Sequence, residues 1–155
     1  IEIGGPQNAN GYLMEDGTIE PVRGKRLRTG DLGYLDGDGY LYVTGRAKDL
    51  IIRGGVNIAP LEIDNAIMRQ ANVFEVATIG VPDRIYGEEL VAYVVPRAGS
   101  KLTIEDLEAH CAEALPDFKR PRRIMLTDAI AKNARGKIDR LAMAELWKRE
   151  QAGTG

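Results

Sequence analysis

The sequence predicts an α+β fold: a small C-terminal domain with a short mixed or antiparallel sheet flanked by about three helices, preceded by a β-rich tail. Three observations support this fold class. Residues 1–45 combine short extended runs with turn-forming glycine, asparagine and aspartate, a pattern typical of hairpins. Residues 73–81 and 90–95 have the composition and length of strands, and the second segment is almost continuously apolar, which favours a central strand. Later segments repeat apolar residues at helical spacing, so helices are expected to cover the sheet.

The β-rich tail is expected to contain strands at residues 1–3, 31–35 and 40–44. The sequence Asp-Gly-Asp-Gly at residues 36–39 is a strong hairpin signal between the last two strands. So short a β segment buries too little apolar surface to be stable alone. The chain also begins inside a strand pattern, with isoleucine instead of methionine. We therefore interpret the tail as the end of a larger domain, and the chain as a fragment of a longer protein.

The segment that follows is expected to form a self-contained α+β unit from residue 49 onward. Besides the strands at residues 73–81 and 90–95, strands are predicted at residues 50–52 and 123–126. Residues 128–137 are polar and are predicted to form a loop.

Three helices are predicted in this unit: residues 61–70, a helix that begins after Thr103, and a helix from Asp139 to about residue 150. Thr103 and Asp106 form a capping pattern, and Asp139 is expected to cap the last helix. The expected buried faces are Ile63, Ala66 and Ile67 in the first helix, Ile104, Leu107, Cys111 and Ala114 in the second, and Met143, Leu146 and Trp147 in the third.

Composition and charge argue against several classes of function. The net charge of −2 over 155 residues gives no overall field for nucleic acid or a membrane surface. No apolar run reaches the length of a membrane-spanning helix, and no signal peptide is visible. Cys111 is the only cysteine, so no internal disulfide is possible, and we expect a reducing, cytoplasmic location. His110 is the only histidine, so neither a cysteine–histidine metal site nor a Ser-His-Asp site is well supported, and we predict no metal site.

The charge is unevenly distributed along the chain. Residues 116–140 contain eight basic and three acidic residues, a net charge of +5 within 25 residues. This excess predicts an anionic ligand in the segment, because positive charge concentrated locally attracts anions. A solvated basic surface would explain the same composition.

Residues 46–63 have the features of a joint between two units. A short apolar run at residues 50–52 is followed by Gly54 and Gly55, where the backbone can turn tightly or approach a ligand closely. Pro60 then fits the first position of a helix. An ordinary strand–turn–helix would explain the same residues, so this segment alone leaves both interpretations open.

Four stretches, in this order along the chain, carry a family resemblance. They are Arg28-Thr29-Gly30-Asp31, residues 45–63, Phe118-Lys119-Arg120-Pro121-Arg122, and the Asn-Ala-Arg-Gly-Lys-Ile-Asp-Arg sequence of residues 133–140. Together they resemble the adenylate-forming superfamily of acyl-CoA synthetases, peptide-synthetase adenylation domains and luciferases. The resemblance covers nearly the whole chain and implies that it is the C-terminal portion of such an enzyme. One departure is Ala131, where many members have proline, which bears on the stiffness of the loop more than on its chemistry.

The resemblance implies a catalytic and a nucleotide-binding set. Lys137 would be the catalytic residue that reaches into the active site and bridges the carboxylate and the α-phosphate of ATP. Asp31 would accept hydrogen bonds from the ribose hydroxyls, and Arg46 would donate to the ribose or a phosphate. The alternatives are a surface lysine before a helix, a turn aspartate, and an ion pair between Arg46 and Asp49.

The resemblance also implies a hinge and a face for coenzyme A. Lys48 occupies the hinge position, where backbone rotation would swing the C-terminal unit between an adenylating and a thioester-forming pose. Gly54 and Gly55 would belong to the face that binds coenzyme A, and Gly55 would line the channel of the pantetheine arm. Similar segments contact the nucleotide of coenzyme A in some ligases, which implies coenzyme A binding by three residues: Phe118, Arg120 and Arg122. The alternative for these three is a core phenylalanine beside a basic surface.

The predicted organisation is residues 1–47 as the end of the N-terminal adenylation domain and residues 48–155 as a mobile C-terminal domain. The implied substrates are a carboxylic acid, ATP with Mg²⁺, and coenzyme A, with ATP and Mg²⁺ held mainly by the N-terminal domain that this chain lacks. The run of residues 54–63 resembles acyl-CoA ligases more than peptide-synthetase domains. The alternatives are an acyl-AMP ligase or adenylation domain that loads a carrier protein, and a non-enzymatic nucleotide- or coenzyme A-binding module. The residues leave open the identity of the acid.

Overall fold

The computed structural model describes residues 1–22 and 26–152. The chain divides into two compact units, Ile1–Lys48 and Asp49–Gly155. In the described residues, no helix combines the length and the apolar composition that crossing a membrane requires.

The first unit consists of antiparallel strand pairs. The pairs are β1 (Glu2–Ile3) with β4 (Leu27–Arg28), β2 (Gly11–Leu13) with β3 (Ile19–Pro21), and β5 (Asp31–Leu35) with β6 (Leu41–Arg46). The predicted hairpin at residues 36–39 is confirmed. Asp36 Oδ1 accepts hydrogen bonds from the backbone N–H groups of Asp38 and Tyr40, at 3.0 and 2.8 Å, and Gly39 adopts a φ of 85° that favours glycine.

This first unit has almost no core of its own. Among its described hydrophobic residues only Val22 is buried. On the β5–β6 hairpin, the rings of Tyr34 and Tyr42 stack at 5.3 Å between centroids, yet both side chains remain about half exposed. The prediction that these strands bury too little apolar surface to be stable alone agrees with this exposure.

The second unit is α+β, as predicted. Its elements in chain order are β7 (Ile51–Arg53), β8 (Val56–Ile58), α1 (Pro60–Ile67), β9 (Val73–Asp83), β10 (Gly87–Pro96), α2 (Ile104–Ala114), β11 (Arg123–Leu126) and α3 (Arg140–Ala152). Short 3-10 turns occur at Ala47–Asp49 and at Asp117–Lys119.

Strand β10 is central in a mixed sheet, as its continuous apolar run predicted. One edge of β10 pairs antiparallel with β9 along its whole length. The other edge pairs parallel with β11 and, at Gly87, antiparallel with Arg53 of β7. Strand β8 pairs with β7 through a two-residue hairpin and lies at the end of the described sheet. The other edge of β9 meets no strand within residues 1–22 and 26–152, so β9 is an edge strand of the described sheet.

The two faces of this sheet are covered by different helices. Side chains alternate along β10, so one set packs with α1 and α2 and the other with α3. The first core contains Leu90, Ala92 and Val94 of β10, and the second contains Val91, Tyr93 and Val95. Helices α1 and α3 therefore lie on opposite faces of the sheet.

All three predicted helices form, but one helix end and parts of two predicted buried faces differ from the prediction. Pro60 begins α1 as expected, but the helix ends at Ile67 instead of residue 70. The capping box of α2 forms, since the Thr103 side chain accepts from the Asp106 N–H and the Asp106 carboxylate accepts from the Thr103 N–H.

The predicted buried stripe of α2 is only half correct. Leu107 and Cys111 are buried, but Ile104 is 38% exposed and Ala114 is also exposed. The core is completed at the two ends of the helix by Leu102 and Leu115, which flank it. Burial raises the pKa of the Cys111 thiol to about 11.

The predicted stripe of α3 is wrong at one position. Met143 is fully buried and Trp147 partly buried, but Leu146 is 39% exposed. The helix packs through Met143, Ala144 and Trp147, and Leu146 lies about 100° around the helix from the centre of that face.

Candidate functional site

Lys137 lies on a closed, hydrogen-bonded loop just before α3. Its backbone N–H donates to Asn133 Oδ1 at 3.2 Å, and its carbonyl accepts from the Asn133 N–H at 2.8 Å. Gly136 has a φ of 74°, a conformation that residues with a Cβ rarely adopt. Lys137 is exposed, and among the described residues no partner contacts its Nζ atom. The loop therefore presents a free ammonium group from an ordered backbone.

The ends of the loop are fastened to each other and to the core. Lys132 and Ile138 form an isolated antiparallel bridge, and the Asp139 N–H donates to the Ala131 carbonyl at 2.9 Å. Asp139 Oδ1 also accepts from the Ala142 N–H at 3.1 Å, so the predicted cap of α3 is confirmed.

Arg140, the first residue of α3, joins this loop to α1 and to β9. Its Nη2 pairs with Asp64 Oδ2, and its Nε donates to the Thr78 carbonyl at 3.1 Å. Asp64 Oδ1 accepts from the Thr78 N–H at 2.7 Å. Burial raises the pKa of the Asp64 carboxyl to about 6, although the charge of Arg140 and the hydrogen bonds from Thr78 and Arg140 oppose that shift.

Asp31 and Arg46, the predicted nucleotide-binding residues, face each other on the β5–β6 hairpin. They are directly paired in register, and Arg46 Nε lies 2.8 Å from Asp31 Oδ1. The Arg46 side chain is 44% exposed and that of Asp31 is 28% exposed. The ion-pair alternative for Arg46 named the wrong partner, because Asp31 occupies the place given to Asp49. The pair is accessible to a ligand, and a role in binding ribose stays a prediction.

Lys48, the predicted hinge, lies in the exposed 3-10 turn Ala47–Asp49. The backbone before it is anchored, since the Ala47 N–H donates to the Gly30 carbonyl at 2.9 Å. The boundary between the two compact units falls between Lys48 and Asp49. No contact tests rotation at this residue, so the hinge stays a prediction.

Gly54 and Gly55 form the two-residue turn of the β7–β8 hairpin. Their φ angles are 57° and 82°, the positive values that a type I′ turn requires at both central residues. The space around the Cβ position of Gly55 is open, whereas a Cβ on Gly54 would contact the ring of Tyr86 at 3.4 Å. The sequence predicted a turn here but missed the following strand, β8.

A buried ion pair links this hairpin to strand β10. Arg53 Nε and Nη2 contact the two carboxylate oxygens of Glu89 at 2.6 and 3.0 Å, and only 4% of the Glu89 side chain is exposed. Arg53 Nη1 also donates to the Phe118 carbonyl at 3.0 Å, and its guanidinium lies 4.7 Å from the centre of the Tyr86 ring. Arg53 therefore brings the hairpin and the Phe118 segment together.

The three predicted coenzyme A residues of that segment have different surroundings. The Phe118 side chain is 44% exposed on the turn Asp117–Lys119. Arg122 is exposed, and its backbone N–H donates to the Leu90 carbonyl at 2.9 Å. Phe118 and Arg122 therefore offer an accessible aromatic ring and an accessible cation.

Arg120 is engaged within the protein. Its Nε and Nη2 donate to the carbonyls of Leu115 and Ala112 at 2.9 and 2.8 Å, and its Nη1 pairs with Asp117. These bonds satisfy carbonyls at the C-terminal end of α2, as cationic side chains often do. Arg120 thus has a structural role that the sequence did not reveal, and its part in binding coenzyme A stays a prediction.

Sequence reasoning missed three charged residues that organise these groups: Arg53, Asp64 and Glu89. Asp64 and Glu89 are 4% and 3% exposed, and each meets its arginine across 76 or 36 residues of sequence. Both carboxylates have polar neighbours in the sequence, Glu62 and Asn65 around Asp64 and Glu88 before Glu89, so no local pattern marks them as buried. Only their burial in the folded chain shows that each needs a charged partner.

Comparisons with known proteins agree with this geometry. Residues 62–137 match the family model described as the AMP-binding enzyme C-terminal domain. The chain is 50% identical over 117 residues to sulfoacetate–CoA ligase of Cupriavidus necator. This alignment covers 76% of this chain and 23% of that protein. It is 36% identical over 154 residues to 2-succinylbenzoate–CoA ligase of a Geobacillus species, in an alignment that covers 99% of this chain and 31% of that protein.

A solved structure shares the fold. ATP-bound MatB from Rhodopseudomonas palustris matches with a TM-score of 0.78 and 32% identity, covering 95% of this chain and 30% of that chain. The chain therefore spans less than a third of the length of these relatives.

Proposed function

Because this chain belongs, through residues 62–137, to the family of AMP-binding enzyme C-terminal domains, we propose that it is the C-terminal part of an ATP-dependent acid–thiol ligase. In the proposed reaction, a carboxylate oxygen attacks the α-phosphorus of ATP and pyrophosphate leaves. The sulfur of coenzyme A, having lost its proton, then attacks the acyl carbon, and AMP leaves. The relatives reported above are CoA ligases by name, which supports this acceptor.

The free ammonium of Lys137 is the observation that carries the proposal. Both substrates of the first step are anions, so their approach needs positive charge held where negative charge accumulates. The closed backbone around Lys137 supports such a role, because the loop is ordered before a ligand arrives. A lysine on a flexible stem suits a group that engages one reaction and withdraws before the next.

The nucleotide would be held only in part by this chain. The Asp31–Arg46 pair offers one carboxylate and one guanidinium, which fits a ribose and a neighbouring phosphate. The sequence contains no Gly-x-x-x-x-Gly-Lys-Ser/Thr loop. We therefore assign most of the site for ATP and Mg²⁺ to a part of the protein outside these residues. When bound, Mg²⁺ would neutralise phosphate charge.

Two poses of the second unit would separate the two reactions. Rotation at Lys48 would present the Lys137 loop for adenylation, or the Gly54-Gly55 hairpin with Phe118 and Arg122 for attack by the thiol. The exposed position of Lys48 at the division between the two units supports a hinge there. The single, buried cysteine supports a reducing, cytoplasmic setting for the whole enzyme.

The experiment that tests this function uses the full-length protein. Incubated with ATP and a panel of aliphatic, aromatic and short dicarboxylic acids, it should catalyse acid-dependent exchange of pyrophosphate into ATP. Addition of coenzyme A should then yield an acyl-CoA. The isolated 155-residue chain should do neither, because it holds only part of the nucleotide site.

Other outcomes would identify the alternatives. Acyl transfer to a phosphopantetheine carrier protein but not to coenzyme A would indicate an acyl-AMP ligase. Nucleotide or coenzyme A binding without any exchange would indicate a non-enzymatic module.

Replacing Gly55 tests the coenzyme A face separately. We expect Gly55→Asn to slow thioester formation from supplied acyl-adenylate by roughly 10²-fold, because the new side chain displaces the thiol from its path. Asparagine is chosen because it tolerates a positive φ better than other side chains. Pyrophosphate exchange should be unchanged. Single-turnover thiolysis and exchange assays measure the two steps.

Gly99→Asn is the matched control for this variant. Gly99 has a φ of 76° and open space around its Cβ position, like Gly55. Gly99→Asn should leave both steps intact. Equal loss of thiolysis in the two variants would mean that backbone strain, and not the proposed channel, causes the effect.

A further inference from the structure

At Thr78, the outer edge of strand β9 is bonded to an ion pair instead of to another strand. Thr78 pairs with Ala92 of β10 on its inner side. On its outer side, its N–H donates to Asp64 Oδ1 at 2.7 Å and its carbonyl accepts from Arg140 Nε at 3.1 Å. Asp64 and Arg140 also pair with each other. The two side chains therefore satisfy both outward backbone groups of Thr78, as a neighbouring strand would at that position.

This ion pair connects the two faces of the sheet. Asp64 belongs to α1 on one face, and Arg140 begins α3 on the other. The Asp64 side chain is 6% exposed and that of Arg140 is 23% exposed. An apolar contact would not specify a direction, whereas the planar guanidinium fixes where the first residue of α3 lies.

Lys137 lies only three residues before Arg140, on the loop whose ends meet at Ala131 and Asp139. The start of the loop is held by Ile130, which is 5% exposed, and by the Ala131 N–H contact to the Met143 sulfur at 3.3 Å. The end of the loop is held by Arg140. Asp139 and the Lys132–Ile138 bridge also hold this end, but Asp64 is the buried charge that ties it, through Arg140, to helix α1.

We infer that Asp64 is a positioning residue for Lys137, acting through Arg140 to aim the Lys137 loop during adenylation. The inference rests on the proposed function, since it needs Lys137 to act in the first step. It also predicts a selective effect. Asp64 should matter only when Lys137 is engaged, and not when the thiol reacts.

Asp64→Asn is the first test, in the full-length enzyme. The amide has nearly the same shape and keeps an oxygen for the Thr78 N–H, but it loses the charge that holds Arg140. Pyrophosphate exchange should slow by roughly tenfold to 10²-fold, the scale expected when a reacting group is misplaced by about 1 Å. Thiolysis of supplied acyl-adenylate should stay within twofold of wild type.

The double variant separates positioning from general damage. If Asp64 acts through Lys137, then Lys137→Ala with Asp64→Asn should be no slower in exchange than Lys137→Ala alone. Multiplied losses in the double variant would overturn the inference. Glu145→Gln is the control, because it breaks an exposed ion pair with Lys148 on the same helix and should change neither step.

Hydrogen exchange gives a readout independent of activity. In the full-length Asp64→Asn enzyme, amides of residues 133–139 should exchange faster, while those of β10 keep their protection. Unchanged exchange in the loop would overturn the inference. Should Asp64→Asn also weaken the protection of β10, Arg140→Lys serves as the second variant, because lysine keeps the positive charge and loses only the planar guanidinium. Arg140→Lys should show the same selective loss of adenylation. Equal loss of both steps in this variant would refute the inference.

Lys137→Ala alone distinguishes a failure of the proposed function of Lys137 from a failure of the positioning role of Asp64. If it leaves exchange unaffected, the proposed function of Lys137 fails. If it slows exchange while Asp64→Asn and Arg140→Lys do not, only the positioning role of Asp64 fails.

Discussion

Replacing Lys137 with alanine in the full-length enzyme is expected to slow acyl-adenylate formation by roughly 10²–10³, the loss seen when one transition-state donor is removed. The ammonium has no partner among the described residues, so no internal ion pair is broken by the change. Thioester formation from supplied acyl-adenylate should be nearly unaffected, because in the proposed second pose Lys137 has withdrawn. Pyrophosphate exchange and single-turnover thiolysis measure the two steps.

Arg135→Ala is the matched control for Lys137→Ala. Arg135 is an exposed cation on the same loop, two residues away, so its removal changes the local charge equally. We expect this variant to stay within a few-fold of wild type in both steps. A loss comparable to that of Lys137→Ala would show that the loop acts through its overall charge. Equal damage to both steps by Lys137→Ala, in folded protein, would contradict the two-pose model.

Removing Arg53 is expected to lower the free energy of unfolding far more than removing a partner of an exposed ion pair. Arg53→Ala leaves Glu89 buried without its bidentate partner, and breaking a buried pair from one side typically costs about 3–5 kcal/mol in the free energy of unfolding. Urea denaturation of the 155-residue chain, followed by the fluorescence of its single tryptophan, measures the change.

Two further variants test the cause of that loss. Lys148→Ala removes an exposed partner, 57% accessible, and should cost at most about 1 kcal/mol. Arg53→Met combined with Glu89→Leu removes both charges and should recover much of the stability, because no unpaired carboxylate remains. If the double variant were as unstable as Arg53→Ala, packing would outweigh charge at this position.

Local signals in the sequence predicted the elements whose causes are local. The capping box at Thr103 and Asp106, the hairpin at residues 36–39 and the cap at Asp139 each depend on a few adjacent residues, and each formed as expected. The position of β10 followed from a run of apolar residues long enough to need burial on both faces.

The remaining features depend on contacts between distant segments. Strand β8 is too short to show a pattern and forms because Gly54-Gly55 returns the chain beside β7. Arg120 looked like a ligand-binding cation, but the nearby end of α2 takes up its donors. The exposure of Leu146 depends on which side of α3 faces the sheet, and the spacing of apolar residues alone placed Leu146 on that side.

The candidate site residues could be identified from the sequence, whereas the residues that hold them in place could not. Lys137, Asp31 and Gly55 lie in short motifs that a reader of the sequence can match. The residues that hold such groups, Asp64 and Glu89, are single carboxylates whose partners lie far along the chain. Their role becomes visible only when burial shows that each carboxylate must be paired.

The burial of Cys111 makes this chain suitable for site-specific labelling. Alkylating reagents attack the thiolate, and a thiol that is 2% exposed with its pKa raised to about 11 supplies very little of it near neutral pH. A cysteine introduced at an exposed position such as Arg135 would therefore carry a maleimide fluorophore almost alone. The natural residue need not be removed first, so the core between α2 and the sheet stays intact while the Lys137 loop reports its surroundings.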